Sequence, residues 1–252
     1  MCGKLLFFSE VKMTEFTTII RRKATDILNY FTKTEITLWT VSVLLILLSF
    51  FIFDRERILT LSASLIGVTS LIFCARGNAI GQLLMIAFSI MYGIISYGFS
   101  YYGEMLTYLC MTAPMAIFAL ISWLRNPYNE SSEVRVGRIG VPERIFMIIL
   151  SAAVTFIFYY ILKYFNTANL PISTLSVTTS FLAVYMTFRR SIFFAALYAA
   201  NDAVLIALWI LAAATDSSYI SVVVCFTVFL ANDIYTFINW GRMRRRQEAN
   251  PA

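Results

Sequence analysis

The sequence has no histidine, few charged residues and no paired cysteines. Charged residues make up 13% of the 252 residues. The four cysteines, Cys2, Cys74, Cys110 and Cys225, are scattered without a CxxC pair, and three of them lie in or beside apolar segments. These absences disfavour a zinc site, a Ser-His-Asp triad, a haem with histidine ligands and disulfide bonds. We therefore expect no metal, no cofactor and no enzyme activity.

Hydrophobic residues dominate the sequence instead. They make up 60% of it, aromatic residues make up 16%, and the mean hydropathy is +0.76. A globular protein is about 45–50% apolar and about 25% charged. The composition therefore predicts an all-α, multi-pass protein of the plasma (inner) membrane, without a soluble domain of appreciable size. The net charge of +6 comes from residues spread over short loops and tails, which disfavours a nucleic-acid partner.

Eight apolar runs approach the roughly 20 residues that a helix needs to span a membrane. The predicted spans are Ile36–Phe53, Ile58–Ala75, Asn78–Phe99, Gly103–Leu124, Arg144–Phe165, Ser173–Phe188, Ile192–Ala214 and Tyr219–Trp240. They divide the chain into an N-terminal segment (1–35), an extra helix (36–57), a first three-helix repeat (58–124), a cytoplasmic loop with a linker helix (125–172), a second three-helix repeat (173–240) and a basic tail (241–252).

The distribution of lysine and arginine predicts the orientation of the spans. If the N-terminus is cytoplasmic, every lysine and arginine except Arg55, Arg57 and Lys163 lies on the cytoplasmic side. Both termini are therefore predicted to be cytoplasmic. Apolar residues recur at helical spacing from Phe16 to Phe31, which indicates an interfacial amphipathic helix, with a partly disordered tail as the alternative.

A weak internal repeat supports the division into two triplets. A shift of 117 residues aligns one set of four residues with another: Ile117, Ile121, Trp123 and Arg125 fall on Ile234, Ile238, Trp240 and Arg242. Spans two to four and six to eight also run in the same directions, because the fifth span reverses the chain between them. The sequence therefore predicts a 3+1+3 bundle of parallel repeats, preceded by one extra helix.

Polar residues at helical spacing mark the third, seventh and eighth spans. These stripes contain Asn78, Gln82, Ser89, Tyr92 and Ser96, then Tyr198, Asp202 and Trp209, and finally Asn232, Tyr235 and Asn239. Asp202 lies near the middle of its span, where a carboxylate that faces lipid costs at least ~2.5–3.5 kcal/mol. We expect the three stripes to converge on one watery chamber halfway through the membrane.

Asp202 has three possible roles. It could hydrogen-bond a neighbouring helix for structural reasons, relay protons in a pump, or line a solute cavity whose aromatic walls are Tyr198 and Trp209. The aromatic partners favour the third role, because an aromatic face attracts a cation by about 0.5–2 kcal/mol when both are desolvated.

Several other residues have structural interpretations. Asn232, Tyr235 and Asn239 could join helix to helix. Trp123 and Trp240 are expected to anchor the helices at the inner membrane interface. Glu104 is interpreted as a carboxylate favoured by the dipole at the start of its helix rather than as a ligand.

Several motifs follow one another in a fixed order along these spans. They are Tyr102-Gly103-Glu104, Pro114-Met115, Trp123-Leu-Arg-Asn126, Asn201-Asp202 before Leu208-Trp209, Asn232-Asp233-Ile234-Tyr235, and Asn239-Trp240-Gly-Arg-Met with Gln247. In order and spacing they resemble the PnuC family of vitamin B3 transporters. The resemblance covers most of Ile58 to Gln247. It implies a nicotinamide riboside carrier that works by facilitated diffusion, is distantly similar to SWEET sugar carriers, and assembles as a homotrimer. It also implies that a cytosolic kinase traps the vitamin.

One departure from the family concerns the solute itself. The family often has two tryptophans seven and four residues before the aspartate of the seventh span, whereas this chain has Ala195 and Tyr198. Phe194 could replace one of them. Thiamine and riboflavin therefore stay open as alternative solutes, as does a proton-coupled pump. The predicted solute site comprises Asn78, Gln82, Ser89, Tyr92, Phe194, Tyr198, Asn201, Asp202, Trp209, Asn232, Tyr235 and Asn239.

Overall fold

The computed structural model describes residues 30–98 and 101–250. These residues form eight long helices. They are α1 (Lys33–Phe53), α2 (Ile58–Ala75), α3 (Ile80–Gly98), α4 (Tyr102–Leu124), α5 (Val141–Tyr164), α6 (Leu170–Phe188), α7 (Phe193–Ala213) and α8 (Ile220–Ala249). All eight, α8 with the short turn before it, are long and apolar enough to span a membrane. The predicted all-α, multi-pass fold is thereby confirmed. The predicted amphipathic helix in residues 1–35 falls almost entirely outside the described residues.

The chain divides into two compact units, residues 1–41 and 42–252. In the first unit, α1 begins with a capping box. The Thr32 backbone N–H donates to Glu35 Oε2 at 2.7 Å, and the Glu35 N–H donates to Thr32 Oγ1 at 3.3 Å. These two bonds satisfy donors that the first turn of a helix otherwise leaves free.

In the second unit, six helices pack as a closed ring. Within the two predicted triplets, α3 packs between α2 and α4, and α7 packs between α6 and α8. Between the triplets, α4 packs against α6 and α8 packs against α2. The last helix of each triplet thus contacts the first helix of the other, which is the arrangement that two repeats related by a two-fold axis produce. The exposed hydrophobic residues of the fifth helix, such as Phe146 and Phe156, are suited to lipid.

The fourth helix is irregular near its middle. Residues Thr107–Thr112 form a π-helical segment, and Pro114 follows it. Proline has no backbone N–H and cannot continue the ordinary α-helical ladder, so the wider turn lies where the ladder is interrupted. Such segments often occur at functional sites. Tyr108 in this one is buried and contacts Tyr92, with ring centroids 4.4 Å apart.

Helices α2, α4 and α6 end on the same side of the ring. We call this side the basic end, because four arginines follow these helices: Arg76, Arg125, Arg189 and Arg190. The linker between α4 and α5 folds over this end. The Val134 N–H donates to the Gly77 carbonyl at 2.9 Å, and the Gly137 N–H donates to the Arg190 carbonyl at 2.9 Å. The linker therefore contacts both triplets.

The eighth helix is longer than its apolar run predicts. The predicted span ends at Trp240, whereas α8 continues to Ala249. Its last turns are held by the linker: Gln247 accepts from the Val136 N–H at 2.8 Å and donates to the Val134 carbonyl at 3.0 Å, and Arg246 pairs with Glu133. Hydropathy predicts where a helix leaves lipid, but the contacts with the linker decide where it ends.

Candidate solute-binding site

An aromatic layer closes the basic end of the ring. The rings of Trp123 and Phe194 lie 5.3 and 4.8 Å from that of Trp240, measured between centroids. Trp123 Nε1 donates to the Thr187 carbonyl at 3.0 Å, and Trp240 Nε1 donates to the Cys74 carbonyl at 2.8 Å. The two tryptophans are 2% and 0% exposed. This differs from the expectation of interfacial anchors, because each indole N–H is satisfied by a helix end inside the protein rather than by the membrane interface.

The two indole hydrogen bonds cross between the triplets in matching ways. Trp123 at the end of α4 donates to the last turn of α6, and Trp240 in α8 donates to the last turn of α2. Each acceptor is the penultimate residue of its helix. The basic-end layer therefore joins the two triplets through a pair of equivalent bonds.

A second aromatic layer closes the opposite end. Trp209 Nε1 donates to the Tyr92 hydroxyl at 2.7 Å, and the Trp209 ring lies 4.9 Å from Tyr101 and 5.6 Å from Tyr219. Seven residues separate Trp209 from Asp202, which is about 10 Å along a helix. Trp209 therefore belongs to this opposite layer, and Asp202 lies between the two layers.

Two aspartates face each other between the layers. Asp202 on α7 and Asp233 on α8 are 4% and 2% exposed, and their carboxyl groups interact directly. Oδ2 of Asp202 and Oδ1 of Asp233 have no hydrogen-bond partner among the described residues. The sequence places no lysine or arginine in the segments that surround them, which are 58–75, 80–98, 102–124, 170–188 and 193–241. These segments therefore supply no cation to pair with the two carboxyl groups.

Other polar groups surround this pair. Tyr108 lies close enough to Asp202 and Tyr198 for direct electrostatic interaction, and Tyr198 also lies close to Asp233. The Ser89 hydroxyl on α3 is fully buried and has no hydrogen-bond partner within the described part of the chain. Buried polar atoms without partners are costly in a membrane protein, so these groups are suited to bind a polar, positively charged solute.

Gln82 is connected to the pair indirectly. Its Nε2 donates to Cys74 Sγ at 3.3 Å, and Cys74 lies near Asp233. Asn232 is directed elsewhere: its Nδ2 donates to Ser42 Oγ of α1 at 3.0 Å and to the Val228 carbonyl at 2.8 Å. The structure therefore does not bring Gln82, Asp202 and Asn232 to one point. Asp233, one residue after Asn232, faces Asp202 instead.

Three further predicted residues make structural hydrogen bonds. Asn78 Oδ1 accepts from the Ile80 N–H at 2.9 Å at the start of α3. Asn239 Nδ2 donates to the Ala75 carbonyl at 2.8 Å, beside the bond from Trp240. Asn201 Oδ1 accepts from two hydroxyls of α6. Tyr235 is half-buried on the same helix as Asn239.

Charged residues lie beyond the opposite layer. Arg57 contacts Asp54 at 3.7 Å and Asp216 at 3.9 Å, and it lies over the Tyr219 ring. Burial raises the pKa of Asp54 despite the attraction of Arg57. The Ser218 backbone N–H, which donates to Asp216 Oδ1 at 2.9 Å, lowers the pKa of Asp216.

Comparison with known proteins places this architecture in a family. The family model described as nicotinamide mononucleotide transporter matches residues 57–242. The chain belongs to the nicotinamide mononucleotide transporter family. It is a family of transporters, and the expectation that the chain is not an enzyme is confirmed.

Two relatives of the family extend the comparison. The nicotinamide riboside transporter PnuC of Neisseria mucosa is 22% identical over 201 residues, which cover 78% of this chain and 76% of that protein. The crystal structure of the vitamin B3 transporter PnuC superposes with a TM-score of 0.75 at 21% identity, covering 86% of this chain and 94% of the other. The predicted resemblance to the PnuC family is confirmed.

The positions seven and four residues before Asp202 hold Ala195 and Tyr198. Ala195 is fully buried, and Tyr198 lies 6.3 Å from Phe194 between ring centroids. Phe194 itself belongs to the basic-end layer. The aromatic surface that faces Asp202 is therefore formed by Tyr198 and Tyr108 rather than by a tryptophan pair.

The sequence prediction did not include Asp233, Tyr108 or Cys74 in the site. The polar stripe through Asn232, Tyr235 and Asn239 predicts that this face of α8 is the inner one. The face turned toward the ring is instead the one that carries Asp233 and Trp240 seven residues later. An available signal was the repeated Asn-Asp dipeptide, at 201–202 and 232–233, which places an aspartate at the same position after each asparagine.

Proposed function

We propose that this chain is a carrier of the plasma (inner) membrane that takes up nicotinamide riboside by facilitated diffusion. The observation that carries the proposal is the Asp202–Asp233 pair, which has partnerless oxygens and no lysine or arginine in the surrounding segments. Nicotinamide riboside has a permanent pyridinium charge, which suits the pair and the rings of Tyr108 and Tyr198. Its ribose hydroxyls suit groups such as Ser89.

The two aromatic layers support an alternating-access cycle. Solute bound between them is separated from both sides, so one layer has to open for binding and the other for release. At the basic end, opening separates α4 from α6 and α8 from α2, and the two indole bonds break together. We propose that this end faces the cytoplasm, because arginine is concentrated there, and that both termini lie on the same side.

The solute is best assigned by competition between four compounds. We expect the purified protein to bind nicotinamide riboside more tightly than riboflavin, which has no permanent positive charge. Thiamine, also a flat cation, is the alternative solute and is compared directly. We expect nicotinamide mononucleotide to bind weakly, because its phosphate would lie in segments that have no lysine or arginine.

Substitutions of the aspartates test the site itself. We expect Asp202→Asn and Asp233→Asn each to weaken binding of the cationic solute tenfold or more, which corresponds to about 1.4 kcal/mol. Asp216→Asn is the matched control, since Asp216 lies outside the spans. Equal affinities in all three variants would remove the aspartate pair from the site.

A proton-coupled pump is the second candidate, and the second buried carboxyl beside Asp202 favours it. Asp233 lies where a proton could be exchanged between two carboxyl groups. Uptake into proteoliposomes without a kinase separates the two mechanisms. Facilitated diffusion equilibrates the solute and is unaffected by a protonophore, whereas a pump accumulates the solute and loses that accumulation when the protonophore is added.

We also propose that the carrier is a homotrimer, as the family resemblance implies. Measurement of the molar mass of the protein in detergent, by light scattering with correction for bound detergent, tests the oligomeric state. A mass near that of one or two chains would contradict it.

A further inference from the structure

Glu104 is a buried carboxylate that the proposed solute site does not use. It lies in the first turn of α4, it is 1% exposed, and both of its carboxylate oxygens lack a hydrogen-bond partner among the described residues. The start of a helix favours the ionised form of a carboxylate, but a buried charge still needs a counter-charge or ligand. Both carboxylate oxygens of Glu104 are therefore available to bind a ligand.

Two buried hydroxyls lie beside Glu104. The Ser176 hydroxyl of α6 is directed at the Glu104 carboxylate, yet it makes no hydrogen bond of ordinary geometry to any residue that the structure describes. Thr107 follows Glu104 by three residues and shares its helix face, and its hydroxyl is also buried and without a partner in residues 30–98 and 101–250. Four oxygen atoms from two helices thus lack partners in one place.

The charge of this group of oxygens selects the ligand. Neither α4 nor α6 contains a lysine or arginine, and the phenols of Tyr92, Tyr101 and Tyr108 interact electrostatically with Glu104. A single carboxylate is neutralised by a single positive charge. Hard cations bind oxygen ligands, carboxylates among them, and membrane carriers hold sodium with oxygen atoms near the bilayer midplane. We propose that Glu104, Ser176 and Thr107 bind a sodium ion between α4 and α6.

The position of this site connects it to the proposed solute. It lies at a contact between the two triplets, and Tyr108 interacts with both Glu104 and Asp202. Sodium bound there holds α4 against α6 and fixes the π-helical segment that carries Tyr108. An effect of sodium on solute affinity rests on the proposed function, but sodium binding itself does not.

A stability measurement without solute tests the ion site. Thermal unfolding of the purified full-length protein in detergent is compared in sodium, potassium and choline chloride at equal ionic strength. We expect sodium to raise the unfolding temperature by about 2–5 °C relative to the other two salts. Glu104→Gln, which keeps the shape of the side chain but not its charge, should abolish the difference. Glu56→Gln, at an exposed position outside the spans, should retain it.

Two milder variants keep the test decisive if Glu104→Gln does not fold. Ser176→Ala and Thr107→Val each remove one oxygen, and we expect each to raise the sodium concentration for half-maximal stabilisation several-fold. Equal unfolding temperatures in all three salts would overturn the proposal, and so would a sodium response that both variants leave unchanged. Stabilisation by acid in place of sodium would show that Glu104 holds a proton. Because no solute is present, these results leave the proposed function unaffected.

Discussion

Trp209 and Tyr92 are joined by a hydrogen bond of 2.7 Å that links α7 to α3 within the layer opposite the basic end. Both side chains are buried, so removing the Tyr92 hydroxyl takes away an acceptor from a buried indole N–H. We predict that Tyr92→Phe lowers the free energy of unfolding by about 1–3 kcal/mol. Thermal unfolding in detergent measures the loss. Tyr97→Phe on the same helix is the control, because Tyr97 is 63% exposed and should tolerate the change.

The amide of Asn201 connects α7 to α6. Its Oδ1 accepts from Thr179 Oγ1 at 2.8 Å and from Ser180 Oγ at 2.9 Å. We predict that Asn201→Ala destabilises the protein by about 1–3 kcal/mol, since the buried Ser180 hydroxyl loses its acceptor and the half-buried Thr179 hydroxyl loses one of its acceptors. Affinity for the solute should stay within twofold of wild type. Thr179→Val, which removes one of the two donors, should cost less. A large loss of affinity without a loss of stability would instead place Asn201 in the solute site.

The paired indole bonds of the basic-end layer predict equivalent effects of two substitutions. Trp123→Phe and Trp240→Phe each keep a ring but remove one N–H that joins the triplets, at a cost of about 0.5–1.5 kcal/mol. We expect each to open the layer more often and to raise the rate at which a thiol reagent labels Cys74 by about 2- to 10-fold. The measurement uses a background in which the other cysteines are replaced by serine.

The control for the labelling experiment is Trp39→Phe, at the first helix. It should leave the rate unchanged. Labelling that rises in only one of the two layer variants would contradict the equivalence of the two bonds.

Gln247 holds the end of α8 against the linker through both atoms of its amide. We predict that Gln247→Ala speeds backbone hydrogen exchange at Val136, whose N–H loses its acceptor, and frays the last turns of α8. Hydrogen exchange measured by mass spectrometry on peptides from residues 126–140 reports the change. Arg245→Gln alters an exposed residue of the same helix and should leave exchange at Val136 at the wild-type rate.

Asp54 predicts a dependence of stability on pH. Burial raises the pKa of its carboxyl in the folded protein above the ordinary value of 3.8. The folded state therefore holds this proton more tightly than the unfolded chain does. The stability that Asp54 contributes is fully present below the ordinary pKa and is lost as the pH rises through the raised value. We expect the unfolding temperature of the wild type, relative to Asp54→Asn, to fall as the pH rises.

Asp216 provides a control of opposite sign. The hydrogen bond from the Ser218 N–H lowers the pKa of its carboxyl, so its contribution is present above the ordinary pKa and is lost as the pH falls through the lowered value. The wild type, relative to Asp216→Asn, should therefore lose stability toward low pH. The same direction of change in both comparisons would contradict the assignment for Asp54.

The sequence by itself determined that the protein lies in a membrane and how many helices it has. Because a bilayer requires about 20 apolar residues per span and satisfies no backbone polar group, long apolar runs leave few alternatives to a helical bundle. The positions of the seven connections between the helices could also be predicted closely, since clusters of proline, asparagine and arginine interrupt the apolar runs. Asp202 was found because a carboxylate is rare in such a run.

Only the tertiary structure decided which polar residues meet. Asp233 and Asn232 are adjacent in sequence, yet one faces Asp202 and the other bonds to Ser42 of α1. A helix turns by about 100° per residue, so a stripe of spaced polar residues gives the period of the helix but not the neighbour at each angle. Trp123 and Trp240 likewise have the composition of interfacial anchors, and only the position of the α6 and α2 ends showed that their N–H groups are satisfied inside the protein. These contacts depend on how the two triplets pack, and no local pattern in the sequence specifies that packing.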